Sequence, residues 1–249
     1  LLGRVAARGA RVTTVERPEA FLGQLREAQA LIVAIPGVAY SDEELGAVRQ
    51  FVLRGGKLLL IAEPTKTQQF RSVIDLVEVT LGDARHLNSI AGLFGAFFAD
   101  DYLYSLERND GHFQRPIFSH FEAGPLTEGL SAVSFQIAHS VLGSVTPLMW
   151  GDETTLSSRR PAAERPSPAG LAGDGRVLLL GDLSCLSEPA LSRYDNGRFI
   201  SNVADFLAAS SRPADLHAFP AFLGAQVSLV ALQPDRADLS TEIITAAGV

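Results

Sequence analysis

The sequence is short of cysteine, lysine and long apolar runs, and it carries no basic excess. Cys185 is the single cysteine in 249 residues. That excludes an internal disulfide and a cysteine-rich metal site. It leaves the compartment open, because a secreted protein need not carry disulfides. Of 21 basic residues only Lys57 and Lys66 are lysine, a skew that points to coding bias rather than to a guanidinium-based function. A net charge of −7 and a pI near 5.2 argue against a broad phosphate-binding surface, so nucleic acid is not an expected partner. No run approaches the roughly 20 apolar residues that cross a bilayer. The opening "LLGRVAARGARV" lacks the apolar core of a secretory signal. Because the first residue is Leu, the chain is expected to be a piece of a longer protein, with any membrane anchor outside it.

What is present is enough apolar material for a sizeable core: 47% of the residues are hydrophobic, sufficient for one large or two small domains. "ARVTTV" (10–15) reads as a strand after the end of a helix closed by Gly9. "ALIVAIPG" (30–37) and "KLLLIAEP" (57–64) are continuous apolar runs, the pattern of strands buried on both faces. Between them lies a helix over 42–54, with Ser41 and Glu44 as a capping box and Leu45, Val48 and Val52 as an apolar stripe. "RVLLLGD" (176–182) repeats the buried-strand pattern, and a helix over 196–209 follows, with Asn196 as its cap. Strands alternating with helices predict a parallel sheet with right-handed crossovers. Residues 67–79 read as the start of a helix capped by Thr67, 132–142 and 145–151 as strands, and 157–175, rich in Pro, Ser, Gly and Ala, as an exposed, mobile loop. Residues 210–215 read as a linker. After it come a strand at 225–232, expected to join the main sheet or to pair between chains, and a helix capped by Ser240.

Three stretches carry a family resemblance: "ALIVAIPGVAYSDEELGAVRQFVLRGGKLLLIAEP", "LNSIAGLFGAFFADDYLYSLERNDGHFQRPIFSHFEAGPLTEGL" and "GRVLLLGDLSCLSEPALSRYDNGRFISNVADFLA". They resemble the domain of auxiliary proteins linked to gliding-motility ABC transporters (GldG-like). That group is related to a domain of an intraflagellar-transport subunit and, more distantly, to class I glutamine amidotransferases. The resemblance implies a flavodoxin-like, three-layer α/β sandwich with a mainly parallel sheet over residues 1–210. Its first strand would be missing or supplied from elsewhere, and residues 211–249 would begin a further strand–helix unit. It also implies work within assemblies of other protein subunits, an ABC transporter complex among them, rather than an established chemistry.

Cys185 is the obvious candidate nucleophile, and its context argues against that role. A nucleophile elbow needs small residues two places either side, where this sequence has Leu183 and Ser187. His217 alone follows it, beyond the linker. Asp182, Glu63 and Gly37 lie just past the ends of three buried strands, where ligands of open α/β sheets bind, and these three form the candidate ligand site. The competing reading makes them caps and loop anchors. His112, His120 and Glu122 lie near Asp100 and Asp101 in sequence, but without ligand spacing, so no metal is expected. The glycines of "GLAGDG" (170–175) precede a strand instead of following one, the wrong context for a phosphate loop, and no cofactor is expected. The dense aromatics Phe94, Phe97, Phe98, Tyr102, Tyr104, Phe113, Phe118 and Phe121 either pack the core or form an interaction patch. Three readings follow. The first is a non-catalytic interaction or ligand-sensing domain of a larger, membrane-associated assembly, with a homo-oligomer through the C-terminal strand as one form of it. The second is a small-molecule or sugar-binding module. The third is a divergent hydrolase or amidotransferase relative working from Asp182, Glu63 and His120 or His139.

Overall fold

A computed structural model of the chain describes residues 1–15, 18–64, 68–71, 78–81, 84–159, 165–210, 212 and 226–230. Its principal sheet has seven strands: β1 (Arg11–Val15), β2 (Ala30–Ala34), β3 (Lys57–Ile61), β4 (Thr146–Pro147), β5 (Ala169–Ala172), β6 (Val177–Leu180) and β7 (Gln226–Val230). The spatial order is β1-β7-β2-β3-β6-β5-β4. The first five in that order run parallel. The hairpin of β5 on β6 and the pairing of β4 on β5 are antiparallel. Five further sheets, each of two antiparallel strands, complete the β-structure among the described residues.

This corrects the expected fold class. The chain is mixed α/β, with one mixed sheet and several small antiparallel ones, and not a flavodoxin-like three-layer sandwich with a mainly parallel sheet. The antiparallel part arises where the sequence reads as loop. Within 157–175, Pro166 to Gly170 are buried and Ala169–Ala172 forms β5. That run becomes a strand through its ladders, with β6 on one edge and β4 on the other. The expected long strands at 132–142 and 145–151 break into short pieces pairing with four different partners. Residues 68–71 pair with 78–81 as an antiparallel ladder, so strand stands where the sequence expects a helix to begin.

The continuous apolar runs do form strands, and the reason is visible in the packing. Successive residues point to opposite faces. Ile32, Leu59, Ile61, Leu178 and Leu180 enter one core with α1 (Leu2–Ala6) and α5 (Asn196–Ala208). Leu31, Val33, Leu58, Leu60 and Leu179 enter the other with α2 (Phe21–Glu27), α3 (Asp42–Leu53) and α4 (Ala84–Ala91). The capping box at Ser41 and Glu44 is formed, closing both backbone amides at the start of α3. Arg8 joins α1 to α5 through Asp205 at 2.5 Å and the Ser201 carbonyl at 3.0 Å.

Asn196 does not cap α5 as expected. Its buried amide donates to the carbonyls of Ser134 and Ala190 and accepts from the Ser134 N–H. Asp195 precedes it and accepts from the N–H groups of Ser131 and Ala132. Both residues therefore fasten the 131–134 segment to the start of α5. After α5 the chain reaches the far end of α2, where the Arg212 guanidinium donates to the carbonyls of Leu25 and Ala28, a cation on orphan helix carbonyls. The tail strand then enters the sheet as β7, with β1 on one edge and β2 on the other. The helix expected from Ser240, and His217, lie outside the described residues. No described helix is long and apolar enough to cross a membrane.

Candidate functional site

The register of the parallel strands sets the site. Ala34, Ile61 and Leu180 form one row across β2, β3 and β6. Two residues further on, Glu63 and Asp182 leave β3 and β6 side by side, on the face that alternation assigns to α5. Both are buried. Gly37 lies in the turn beyond β2, half-buried, and no hydrogen bond joins it to either carboxylate among the described residues. The turn begins at Ile35, a buried β-branched residue held at φ +46°, a costly backbone state for such a side chain.

Asp182 anchors the loop that follows its strand. One carboxylate oxygen accepts from the Ser184 N–H at 2.8 Å. The other accepts from the Ser184 hydroxyl at 2.6 Å and the Gln136 N–H at 2.8 Å. Burial, and then the neighbouring charge of Glu63, push its carboxyl up to about 7 against the opposing pull of those hydrogen bonds. Gly181 is the close approach that makes this possible. A Cβ there would sit 2.1 Å from the His139 carbonyl oxygen, while the His139 N–H donates to the Gly181 carbonyl.

Cys185 is buried in the short helical turn 184–186, with its thiol 3.6 Å from the Asp182 carbonyl. Burial, and then the charges of Asp182 and Glu63, push the thiol well above its ordinary value. This is the reverse of what activates a nucleophile. His139 is buried, with Nδ1 at 2.7 Å from the Asp101 carbonyl oxygen. The Asp101 side chain accepts from the Ser140 and Ser157 hydroxyls. His120 is exposed and stacks on Trp150, and His112 packs on Phe113. No group of three or more potential metal ligands occurs among the described residues. The aromatics divide: Phe98 and Phe118 are in the core, while Phe97 and Phe113 are 43% and 39% exposed.

Outside the carboxylate pair lies a cavity of about 160 Å³, walled by Ser134–Gln136, by Ser184 and Ser187–Ala190, and by Asp110, Arg115 and Arg193. Gln136 and Ser184 belong both to this cavity and to the hydrogen-bond set of Asp182. Two walls carry left-handed backbone at bulky residues: Ile137 (φ +55°) follows Gln136, and Tyr194 (φ +47°) follows Arg193. Arg193 pairs with Asp110 across 83 residues of chain. Sequence reading missed this wall. The Asp182–Ser184 spacing is a local turn signal it could have used, but nothing local marks Arg115 or Arg193.

An α/β domain with a strained polar cavity outside the carboxyl ends of its parallel strands is the class that fold and site define. The chain belongs to the DUF4350 family, described as a domain of unknown function, which matches residues 1–204. Among solved structures it is similar to the mmIFT52 N-terminal domain, with a TM-score of 0.55 at 12% identity over 75% of this chain and 80% of that one. At that identity the likeness is one of fold. No curated protein matches the sequence.

Proposed function

We propose that the chain is a non-catalytic interaction or ligand-sensing domain of a larger, membrane-associated assembly of the ABC-transporter-linked kind. The state of Cys185 carries the non-catalytic part. A thiol buried beside two carboxylates is held protonated, because burial and both neighbouring charges outweigh the opposing pull of the Leu1 ammonium. The histidines support the same reading: the His139 ring is hydrogen-bonded to the Asp101 backbone, and His120 stands apart on Trp150. The assembly part rests on the three sequence stretches that resemble gliding-motility transporter proteins, and its partners would be other protein subunits. A second reading, a small-molecule-binding module, is favoured by the cavity at Gln136 and Ser184. Recovery of the tagged chain from native cells tests the first reading. Stable co-purification of the same membrane-linked subunits supports it, and recovery as a free protein that turns over a small substrate overturns it.

A further inference from the structure

We infer that the cavity bounded by Arg115, Gln136 and Ser184 is a binding site for a small hydroxy-monocarboxylate, anchored by Arg115. The inference rests on the ligand-sensing reading and names the chemistry of that ligand.

The charges on the cavity wall decide the class. Arg193 is neutralised by Asp110. Glu188 accepts from the Ser192 hydroxyl at 2.6 Å and its N–H at 3.2 Å. Arg115 uses only its backbone: its N–H donates to the His112 carbonyl, and its carbonyl accepts from the Asp110 N–H. Its guanidinium has no hydrogen-bond or ion-pair partner among the described residues. A half-buried planar fork of donors matches a carboxylate with two parallel hydrogen bonds. Gln136, on the same wall, spends its backbone N–H on Asp182, while its side-chain amide makes no hydrogen bond among the described residues. An amide both donates and accepts, which suits a ligand hydroxyl.

Size and charge narrow the ligand further. The cavity measures about 160 Å³, and a void of roughly that volume holds a benzene-sized molecule, so the ligand has on the order of five to eight heavy atoms. Asp110 and Glu188 stand on the same wall, so a dianionic phosphate meets more repulsion than a singly charged carboxylate. The strained residues Ile137 and Tyr194, next to Gln136 and Arg193, hold the wall in a shape that local preference alone does not give.

The test is thermal unfolding of the whole chain with increasing glycolate, with chloride at equal ionic strength as control and inorganic phosphate as the competing class. Glycolate should raise the midpoint saturably. Its apparent affinity should fall at least tenfold in Arg115→Gln, with a smaller loss in Arg115→Lys, which keeps the charge without the fork. The lysine variant decides if the glutamine variant does not fold. A midpoint rise no larger than chloride gives, an equal rise in both variants, or tighter binding of phosphate than of glycolate overturns the inference. Native partners still captured by a protein that ignores glycolate would sink this site and leave the assembly reading in place. Glycolate binding by a protein that captures no partners would do the reverse.

Discussion

Asp182 is a carboxyl held against its own ionisation, and that has a thermodynamic signature. Its folded value, about 7, lies above the ordinary 3.8. Between those values the folded chain holds a proton that the unfolded chain has released. Stability therefore falls as pH rises through that window, by on the order of a few kcal/mol. The lowered carboxyls of Asp152, Asp195 and Asp205 act only below the ordinary carboxylate range. Cys185 and Tyr40, both raised, act only at alkaline pH. His86, lowered by burial and Arg85, gives a small opposite slope. Glu63→Gln removes the like charge and should flatten the loss of stability between pH 5 and 8. Urea midpoints for both proteins at the two pH values measure this, and an unchanged slope would show that burial alone holds Asp182 up and Glu63 adds nothing. Cys185→Ser should cost under about 2 kcal/mol, since the replacement is near in size. Alkylation of the native thiol near pH 7 should be slow, and fast labelling would contradict its buried, protonated state. Glu63 and Asp182 were legible in the sequence because each ends an apolar run. Arg115 was not, because only the folded cavity brings it to Gln136 and Ser184.

At the scale of elements, the parallel strands were legible because a strand buried on both faces needs an unbroken apolar run, and "ALIVA" and "VLLL" supply it. The antiparallel pairing was not. β4 lies inside the expected strand 145–151 but keeps only two residues of it, and β5 reads "AGLA", too small-chained for periodicity to register. Their places come from contacts made elsewhere, above all the seam where His139 crosses the end of β6. That seam has no room for a side chain at Gly181. Gly181→Ala must push the backbone of residue 139 away and loosen the Asp182 bond to Gln136, at a cost of about 3 kcal/mol or more. A urea midpoint within error of the parent would mean the seam is slack. Asn196 shows why a motif can be read correctly as polar and wrongly as local. A helix cap and a clamp on Ser134 call for the same side chain, and the choice is made by a segment about 60 residues away.

For the whole molecule, β7 matters most. It lies between β1 and β2, with a full parallel ladder on each side. Truncation after Ser210 removes it and bares two five-residue edges inside what is otherwise a continuous sheet. Such a chain should lose its cooperative unfolding transition and sediment as aggregates, whereas a stable monomer would show that β1 and β2 re-pair without it. The order of the strands also sets a clock on biosynthesis. β1 and β2 leave the ribosome early, but the strand that joins them follows about 190 residues later. At ordinary translation speed, roughly 5–20 residues per second, the nascent chain waits on the order of 10–40 s with that slot open. During that interval the gap offers a nascent chain's backbone amides and carbonyls to any extended segment nearby. Slowing translation downstream of β2 should then lower the soluble fraction without changing a single residue.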